Sequence, residues 1–532
     1  MNNTKIYFMD IETTSLNPRK GEIRLITFCE GNGEIVTSLT VDENLRRILE
    51  DKNSIKIFHN AKFDVGYLVT KGYKVNNYEC TLVMAKVLEE PKLSLKELSQ
   101  KYLNISMDKS MQHSDNWKQV TITKEHIKYA KEDVRCTREL YYKLMAELKK
   151  KEFINVYRRE INALPAIVML DNNGIKMDFE GWNTKLDEDR KACKKLEYKI
   201  KEELNNHNLN LNSPKQLLSS IRNLGIKITS TSDDELAKYA EQYSVIKKIR
   251  KYRKFQTKIK TYGEKLKKYI DNDGRIRADW NLIGAITGRM SCSKPPLQGM
   301  PSSSREFFIA ENGYKLVGGD YSQVELRVLA NISKDYNLNK YFKEDVDLHY
   351  GTASLILKKD INEISKQERQ IAKSLNFGIV YGITSYGIAN NLTKSGIKVT
   401  QEEAEEYRLC FLKSYPKVKE LQDKFLKAKA IRTIGGRRWE TKDLTLTQRL
   451  NMPIQGSAAE GLKEALALLI KRIQPLWKLV AVVHDEIVLE VPEKEVEDAN
   501  EILCNSMVEG MKKIVPDVAI KVESFIGDNW CK

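Results

Sequence analysis

Apolar residues follow two rhythms along this chain. Short apolar runs at 6–9, 25–28 and 55–58 read as strands, while 44–50 and 123–149 carry apolar residues at helical spacing. Such alternation predicts an α/β unit over residues 1–150. From 151 to about 270 the pattern turns almost wholly helical and lysine-rich. Beyond about 275, strand and helix patterns mix, and two strand-like runs, 314–318 and 479–483, each lead into an acid, Asp320 and Asp485. No period of fixed length recurs. A chain of 532 residues is too long for one core. At roughly 150 residues per domain it predicts about three or four domains.

Composition sharpens this outline. Hydrophobic residues make up 41% of the chain, enough for true cores. The formal charge is +16, from 89 Lys+Arg against 73 Asp+Glu. Such an excess suits a polyanionic partner, because each phosphate neutralised releases condensed counterions. Between Lys247 and Lys268 lie eleven Lys or Arg and a single acid, Glu264. A solvated helix face is the ordinary fate of a charge run, but one sign alone leaves self-repulsion uncompensated unless a polyanion lies alongside.

The eight cysteines are scattered with no CxxC pair, which predicts free thiols in a reducing compartment. No apolar run approaches the ~18 residues that span a bilayer. Residues 1–14 lack the charged, apolar and cleavage regions of a signal peptide. The expectation is a soluble, cytoplasmic monomer with no membrane partner.

Carboxylates then draw attention in the first segment. In YFMDIETT, Asp10 and Glu12 are two residues apart on a strand, so both side chains project from one face. HNAKFD supplies Asp64, and YAKED supplies Asp133, four residues after Tyr129 on a predicted helix. Four carboxylates can hold two Mg²⁺ ions about 4 Å apart, one activating a water and one stabilising a leaving oxygen. Tyr129, one helical turn from Asp133, can orient that water through its hydroxyl. The ordered set D-x-E, N-x-x-F-D, Y-x-x-x-D resembles the three motifs of the DEDD exonucleases, in the subtype with tyrosine in the third. That resemblance implies an active metal-dependent 3′→5′ exonuclease on an RNase H-like fold. An RNase D-like enzyme would share this segment, so the rest of the chain must decide.

A second cluster opens with GGDYSQVELR, where Asp320 follows the run 314–318 and Glu325 and Arg327 follow on a helical pattern. AVVHDEIVLEV places His484, Asp485 and Glu486 between two β-rich runs, the pattern of a hairpin with an acidic tip. Unpaired carboxylates near a core are costly, and two Mg²⁺ ions shared with a nucleoside triphosphate would account for them. Between the two lies SKQERQIAKSLNFGIVYG (365–382), which begins with an S-x-x-E capping box at Ser365 and Glu368. Arg369, Lys373, Phe377 and Tyr381 recur every four residues. Each step drifts only ~40° around a helix, so the four share one broad face. Cations for a triphosphate and aromatics for sugar and base match both halves of a dNTP.

DYSQVELR, R-x3-K-x3-F-x3-YG and VHDE resemble motifs A, B and C of family A DNA polymerases, in the same order. The resemblance extends to TGRMS (287–291), PPLQGMP (295–301), DLHYGTA (347–353), GGRR (435–438) and NMPIQGSAAE (451–460), and upstream to NSPKQL (212–217). It covers essentially the whole chain. It implies a bacterial polymerase I-like, Klenow-type enzyme with a multidomain α/β and α+β fold. An RNase H-like exonuclease domain would be followed by a right-hand polymerase domain over 151–532. Its thumb is expected at about 180–275, its palm at about 276–335 and 440–532, and its fingers at about 336–440. No 5′-nuclease segment precedes the exonuclease, so the form resembled is a compact, phage-type one. The implied activity is template-directed DNA synthesis on a primer 3′-OH with 3′→5′ proofreading, in replication or repair.

By that resemblance Asp320 and Asp485 are the catalytic metal-binding carboxylates, with the Tyr321 carbonyl as a further ligand. Two Mg²⁺ ions per active site are implied, with Mn²⁺ as the substitute ion. Arg369 and Lys373 would bind the triphosphate, and Lys373 would protonate the departing pyrophosphate. Tyr381, Gln323 and His349 complete the nucleotide site. Glu325 stands at the steric-gate position, and Phe377 implies discrimination against dideoxynucleotides. Arg289, Gln298, Asn451, Gln455 and His484 match positions that contact primer or template near the terminus, where minor-groove contacts check pair shape. Arg253 and Lys254 on the basic run fit a thumb that holds duplex phosphates. The implied partners are primer–template DNA, dNTPs and a single-stranded 3′ end in the exonuclease site.

Two positions depart from the family pattern. Glu460 stands where many relatives have Asp, and Thr447 stands where an arginine is common, with Arg449 nearer to Asn451. A different class, a 3′→5′ exonuclease with a non-catalytic C-terminal DNA-binding module, would be signalled by loss of Asp320, Asp485 or Lys373, and all three are present. A non-enzymatic DNA-binding protein predicts both carboxylate sets broken. An RNA polymerase or reverse transcriptase would be signalled by a small residue at 325.

Overall fold

The computed structural model describes residues 4–119 and 121–531. Its first sheet has five strands in the order Val36–Ser38, Ile23–Glu30, Ile6–Thr13, Ile55–Phe58, Tyr78–Cys80. The strand Ile6–Thr13 is antiparallel to Ile23–Glu30 and parallel to Ile55–Phe58. It outruns the apolar stretch at 6–9 because Ile11 and Thr13 keep the buried side of a period of two. Asp10 and Glu12 thereby share the other side, and the register shifts just after Glu12. The helix Lys124–Lys150 packs on this sheet through Val134, Leu140 and Leu144. Thr123 and His126 form its capping box, with histidine in the place usually held by Glu or Gln.

A second sheet carries the C-terminal half, all antiparallel, in the order Lys478–Val483, Glu486–Pro492, Tyr314–Tyr321, Val522–Gly527. The strand Tyr314–Tyr321 passes through Gly318, where a side chain would collide with the Phe525 ring. The helices Leu446–Arg472 and Val496–Lys512 pack together behind.

The helix Ile154–Asn173 joins the two units, packing on Ala61–Thr70 on one side and Leu446–Arg472 on the other. Tyr157 and Arg158 each bond Glu79 of the first unit at 2.8 Å. Glu160 turns the opposite way: Lys463 holds its two oxygens at 2.7 and 2.8 Å, and Arg437 donates at 2.7 Å. Lys463 also donates to the Gly288 carbonyl at 2.6 Å. Burial lowers the Lys463 ammonium to about 8, with Glu160 opposing the shift. Charges this deep are tolerated because each is paired and hydrogen-bonded.

Most of the basic run lies in the helix Ser244–Tyr262, and part of its one-signed charge is compensated within the protein. Lys248 pairs with Glu203, Arg250 with Asp233 at 2.8 Å, and Lys258 with Asp189 at 2.8 Å. Part of the run is thus relieved without a polyanion. Its acids come from packed segments remote in sequence. This helical lobe meets a second one where Asp233–Tyr239 lies against Ser385–Lys394. Lys394 pairs with Asp234, and the Lys238 ammonium lies 5.9 Å from the centre of the Tyr386 ring.

All eight cysteines are free. Among the described residues, no helix is long and apolar enough to cross a membrane.

Candidate active sites

The first site lies over the edge of Ile6–Thr13. Carboxylate oxygens of Asp10, Glu12 and Asp133 lie within 4.8 Å of one another. Asp64, in the first turn of Ala61–Thr70, completes the cavity lining, and its Oδ1 accepts from the Ile11 N–H at 3.2 Å. Tyr129 lines the same cavity one turn before Asp133. The structure thus brings together all five residues singled out in this segment. Burial raises the carboxyls of Asp10 and Glu12 well above the usual range, with neighbouring acids adding to it. It lifts Asp64 to about 8. Such a site is short of positive charge, and an all-carboxylate donor set fits a hard divalent ion.

Two residues here had no motif to announce them. Lys109, on the loop after the helix Leu95–Leu103, bonds Asp133 and the Tyr129 hydroxyl. Trp117 is buried beside Tyr129, with ring centres 6.2 Å apart. A cation in a loop, or an indole in the single short 3-10 helix Ser114–Lys118, carries no periodicity by which to find it.

The second site lies at the end of the second sheet. Asp320 pairs in register with Glu486, and Asp485 occupies the two-residue tip of the hairpin just before it. His484, the other tip residue, has φ +58°. The Tyr321 N–H meets the Asp485 carbonyl at 3.4 Å, and the buried Tyr321 hydroxyl donates to Met507 O at 2.6 Å. Asp485 is pushed up to about 7 by burial and then by the charge of Asp320. The repulsion between these two aspartates is what a bound cation would relieve.

A cavity of about 270 Å³ opens beside Asp485. Arg289, Gln298, Gln323, Glu325, Phe377 and His484 all line it beside Asp485. Gln323 has φ +55° at the start of Val324–Ser333, which puts Glu325 in the first helical turn. The Oε1 of Gln323 and the Oδ1 of Asn451 are buried with no hydrogen-bond partner. Gln298 Nε2 donates to Val482 O at 3.2 Å, tying its loop to the hairpin.

The helix Lys366–Val380 starts at the Ser365/Glu368 capping box. Phe377 joins the first cavity to a second one, lined by Lys373, Tyr381 and Thr447. Lys373 is exposed there, whereas Tyr381 caps the helix one residue beyond its end. Arg369 is held by Asp347 at 2.6 Å, with its guanidinium 5.1 Å from the Tyr350 ring centre. His349 is buried behind this helix, accepting at Nδ1 from Asn376 at 2.9 Å. Burial lowers it to about 4, so it is neutral. Asn376, absent from the sequence reading, also accepts from Thr352 at 3.0 Å and fixes the helix on its inner side.

The remaining positions are spread along the cleft. Asn451 and Gln455 lie on Leu446–Arg472. Arg449 donates to the carbonyls of Thr441, Leu426 and Leu444, so its guanidinium is spent on the backbone. Glu460 is buried, accepting from Thr433 at 2.7 Å and the Gly435 N–H at 2.9 Å. On the basic helix Lys254 is exposed, while Arg253 is half-buried and bonded to the Thr231 carbonyl.

Residues 181–532 match the family model described as DNA polymerase family A, and residues 2–149 match that of a 3′–5′ exonuclease. The chain belongs to DNA polymerase family A. DNA polymerase I of Aquifex aeolicus (strain VF5) is 33% identical over 573 residues, covering 100% of this chain and 97% of that protein. The DNA polymerase I of Pseudomonas aeruginosa is 28% identical over 98% of this chain, and that of Bacillus subtilis (strain 168) 32% over 73%. The chain spans 63% and 47% of those two proteins. Among solved structures, the POL domain of Pol1 from M. smegmatis, in complex with DNA primer-template and dNTP, aligns with a TM-score of 0.86 at 22% identity. It covers 98% of this chain and 95% of that one, and shares its fold, an exonuclease unit followed by a right-hand family A polymerase. The chain is a family A enzyme of template-directed DNA synthesis with a 3′→5′ proofreading unit, and both parts are of divalent-metal-dependent type.

Proposed function

We propose that the two carboxylate clusters are the two active sites of this polymerase, with Mg²⁺ as the ion and primer–template DNA and dNTPs as substrates. One observation carries the reading: Asp485, the gate Glu325 and Phe377 of the Lys366–Val380 helix line one cavity, and Phe377 joins it to a second lined by Lys373 and Tyr381. Divalent ions held by Asp320 and Asp485, and by Asp10, Glu12, Asp64 and Asp133, would supply Lewis acidity and neutralise phosphate charge.

The side chains do the rest. Lys373 and Arg369 bind the triphosphate, and Lys373 gives its proton to the departing pyrophosphate. Phe377 and Tyr381 stack against sugar and base. Glu325 fills the space a 2′-hydroxyl would need. Arg289, Gln298, Asn451, Gln455 and His484 meet the primer terminus and its template partner, while Lys254 steadies duplex phosphates. At the other site the Tyr129 hydroxyl orients the attacking water. Catalysis here is mostly positioning and charge complementarity.

A labelled primer–template assay with Mg²⁺ tests this. The primer should lengthen with dNTPs and shorten without them. Asp485→Ala should abolish lengthening and spare shortening, and Asp10→Ala should do the reverse. Continued dNTP incorporation by Asp485→Ala would remove that carboxylate from the mechanism.

A further inference from the structure

Lys109 faces the exonuclease carboxylates without belonging to any of their motifs. Its Nζ lies 2.7 and 2.9 Å from the two oxygens of Asp133 and 3.2 Å from the Tyr129 hydroxyl. It also sits 4.9 Å from the centre of the Tyr129 ring. The Lys109 side chain is only 14% exposed and that of Asp133 10%, so this is a sheltered, charge-assisted contact. Asp133 is one of the three carboxylates whose oxygens converge within 4.8 Å. The ammonium therefore engages both oxygens through which Asp133 would hold a metal ion.

The loop itself is braced independently of Lys109. Asp108 accepts from the Ser110 N–H at 2.8 Å and from its hydroxyl at 3.1 Å. Asn116 and Trp117 bond the carbonyls of Ser110 and Met111, each at 2.9 Å. With the backbone tied on both sides, the flexible four-carbon stem can carry the ammonium off Asp133 while the loop stays in place.

We propose that Lys109 is a built-in counter-ion that competes with the metal for Asp133, and so sets the metal concentration at which the proofreading site loads. The inference rests on reading this cluster as a metal-dependent exonuclease site. In the metal-free protein Lys109 supplies the positive charge that the buried acids lack. On loading it yields Asp133 and stays beside Tyr129. Lys109 is thus a positioning residue that acts through the metal ligands.

The test is direct Mn²⁺ binding, followed by the resonance of the free ion, to the full chain carrying Asp485→Ala to silence the polymerase site. Lys109→Met should load at about tenfold lower free Mn²⁺, the scale of one lost charge-assisted hydrogen bond. Lys109→Arg should load at higher Mn²⁺ than the parent, because a guanidinium fork grips both oxygens of a carboxylate. In EDTA, Lys109→Met should melt below the parent, and saturating Mg²⁺ should erase the difference. Unchanged or weaker Mn²⁺ binding in Lys109→Met, or a melting deficit that persists in Mg²⁺, overturns the proposal and makes Lys109 a loop strut. Failure of the underlying reading looks different: Asp10→Ala would then bind Mn²⁺ like the parent, and neither would shorten a labelled single-stranded 3′ end.

Discussion

Arg289 donates through Nη2 to Glu325 Oε1 at the cavity that also holds Asp485. Burial raises the Glu325 carboxyl and Arg289 opposes the shift, so the contact favours the charged form and fixes the side chain's place. Glu325→Ala should therefore admit ribonucleotides, with discrimination falling by about 10- to 100-fold, the range for one lost steric or polar contact. Single-nucleotide incorporation with matched rNTP and dNTP measures it. Unchanged rejection would place the gate elsewhere.

Asp485 ties the second carboxylate site to pH. Its carboxyl is raised to about 7, so it contributes stability that is present at low pH and lost as pH rises through about 7. In EDTA the melting temperature of the wild type should fall over that window. Asp485→Asn should fall less and be the more stable protein above it. Saturating Mg²⁺ should flatten the wild-type curve. Parallel curves for the two proteins in EDTA would refute the assignment.

Glu160 is held by two cations in the interior. Glu160→Gln leaves Lys463 and Arg437 buried without the carboxylate that both bond, and the loss should be about 3–5 kcal/mol in denaturant unfolding. Lys463→Met should cost less, because the Glu160–Arg437 pair survives it. A smaller loss in Glu160→Gln than in Lys463→Met would contradict this account.

The helices Asp233–Tyr239 and Ser385–Lys394 meet through Asp234 and Lys394. Asp234→Lys sets two ammonium groups against each other, and the number of nucleotides added per binding event should drop. The swap Asp234→Lys with Lys394→Asp should restore it, and raised salt should shrink every difference. Processivity measured with a heparin trap distinguishes these outcomes.

Much of both sites was legible because catalysis uses fixed spacings. A step of two put Asp10 and Glu12 on one face, and a step of four put Tyr129 and Asp133 on one helical side. The apolar runs around His484 and Asp485 gave the hairpin tip, and Ser365 with Glu368 gave the start of the motif helix. Its end was less visible: the four-residue recurrence ran through Tyr381, but Gly382 at φ +68° closes the helix before it. Hidden from the sequence were the contacts that folding makes between distant residues. The acids that neutralise the basic helix lie in other segments, Lys109 has no repeat to betray it, and Asn376 looks like any polar residue on a helix.

The joining helix Ile154–Asn173 settles where a working fragment could begin. Tyr157 and Arg158 serve Glu79 on the exonuclease side, while the next two residues serve the polymerase: Arg159 reaches Glu464 at 3.1 Å, and Glu160 neutralises Lys463 and Arg437. A clone started at residue 181, where the polymerase family match begins, would lack Glu160, the carboxylate that both cations bond. Through Lys463 it would also loosen Gly288, the neighbour of Arg289. A clone started just ahead of Ile154 retains that charge balance, and the first unit can be cut away without unseating the loop at Gly288 and Arg289.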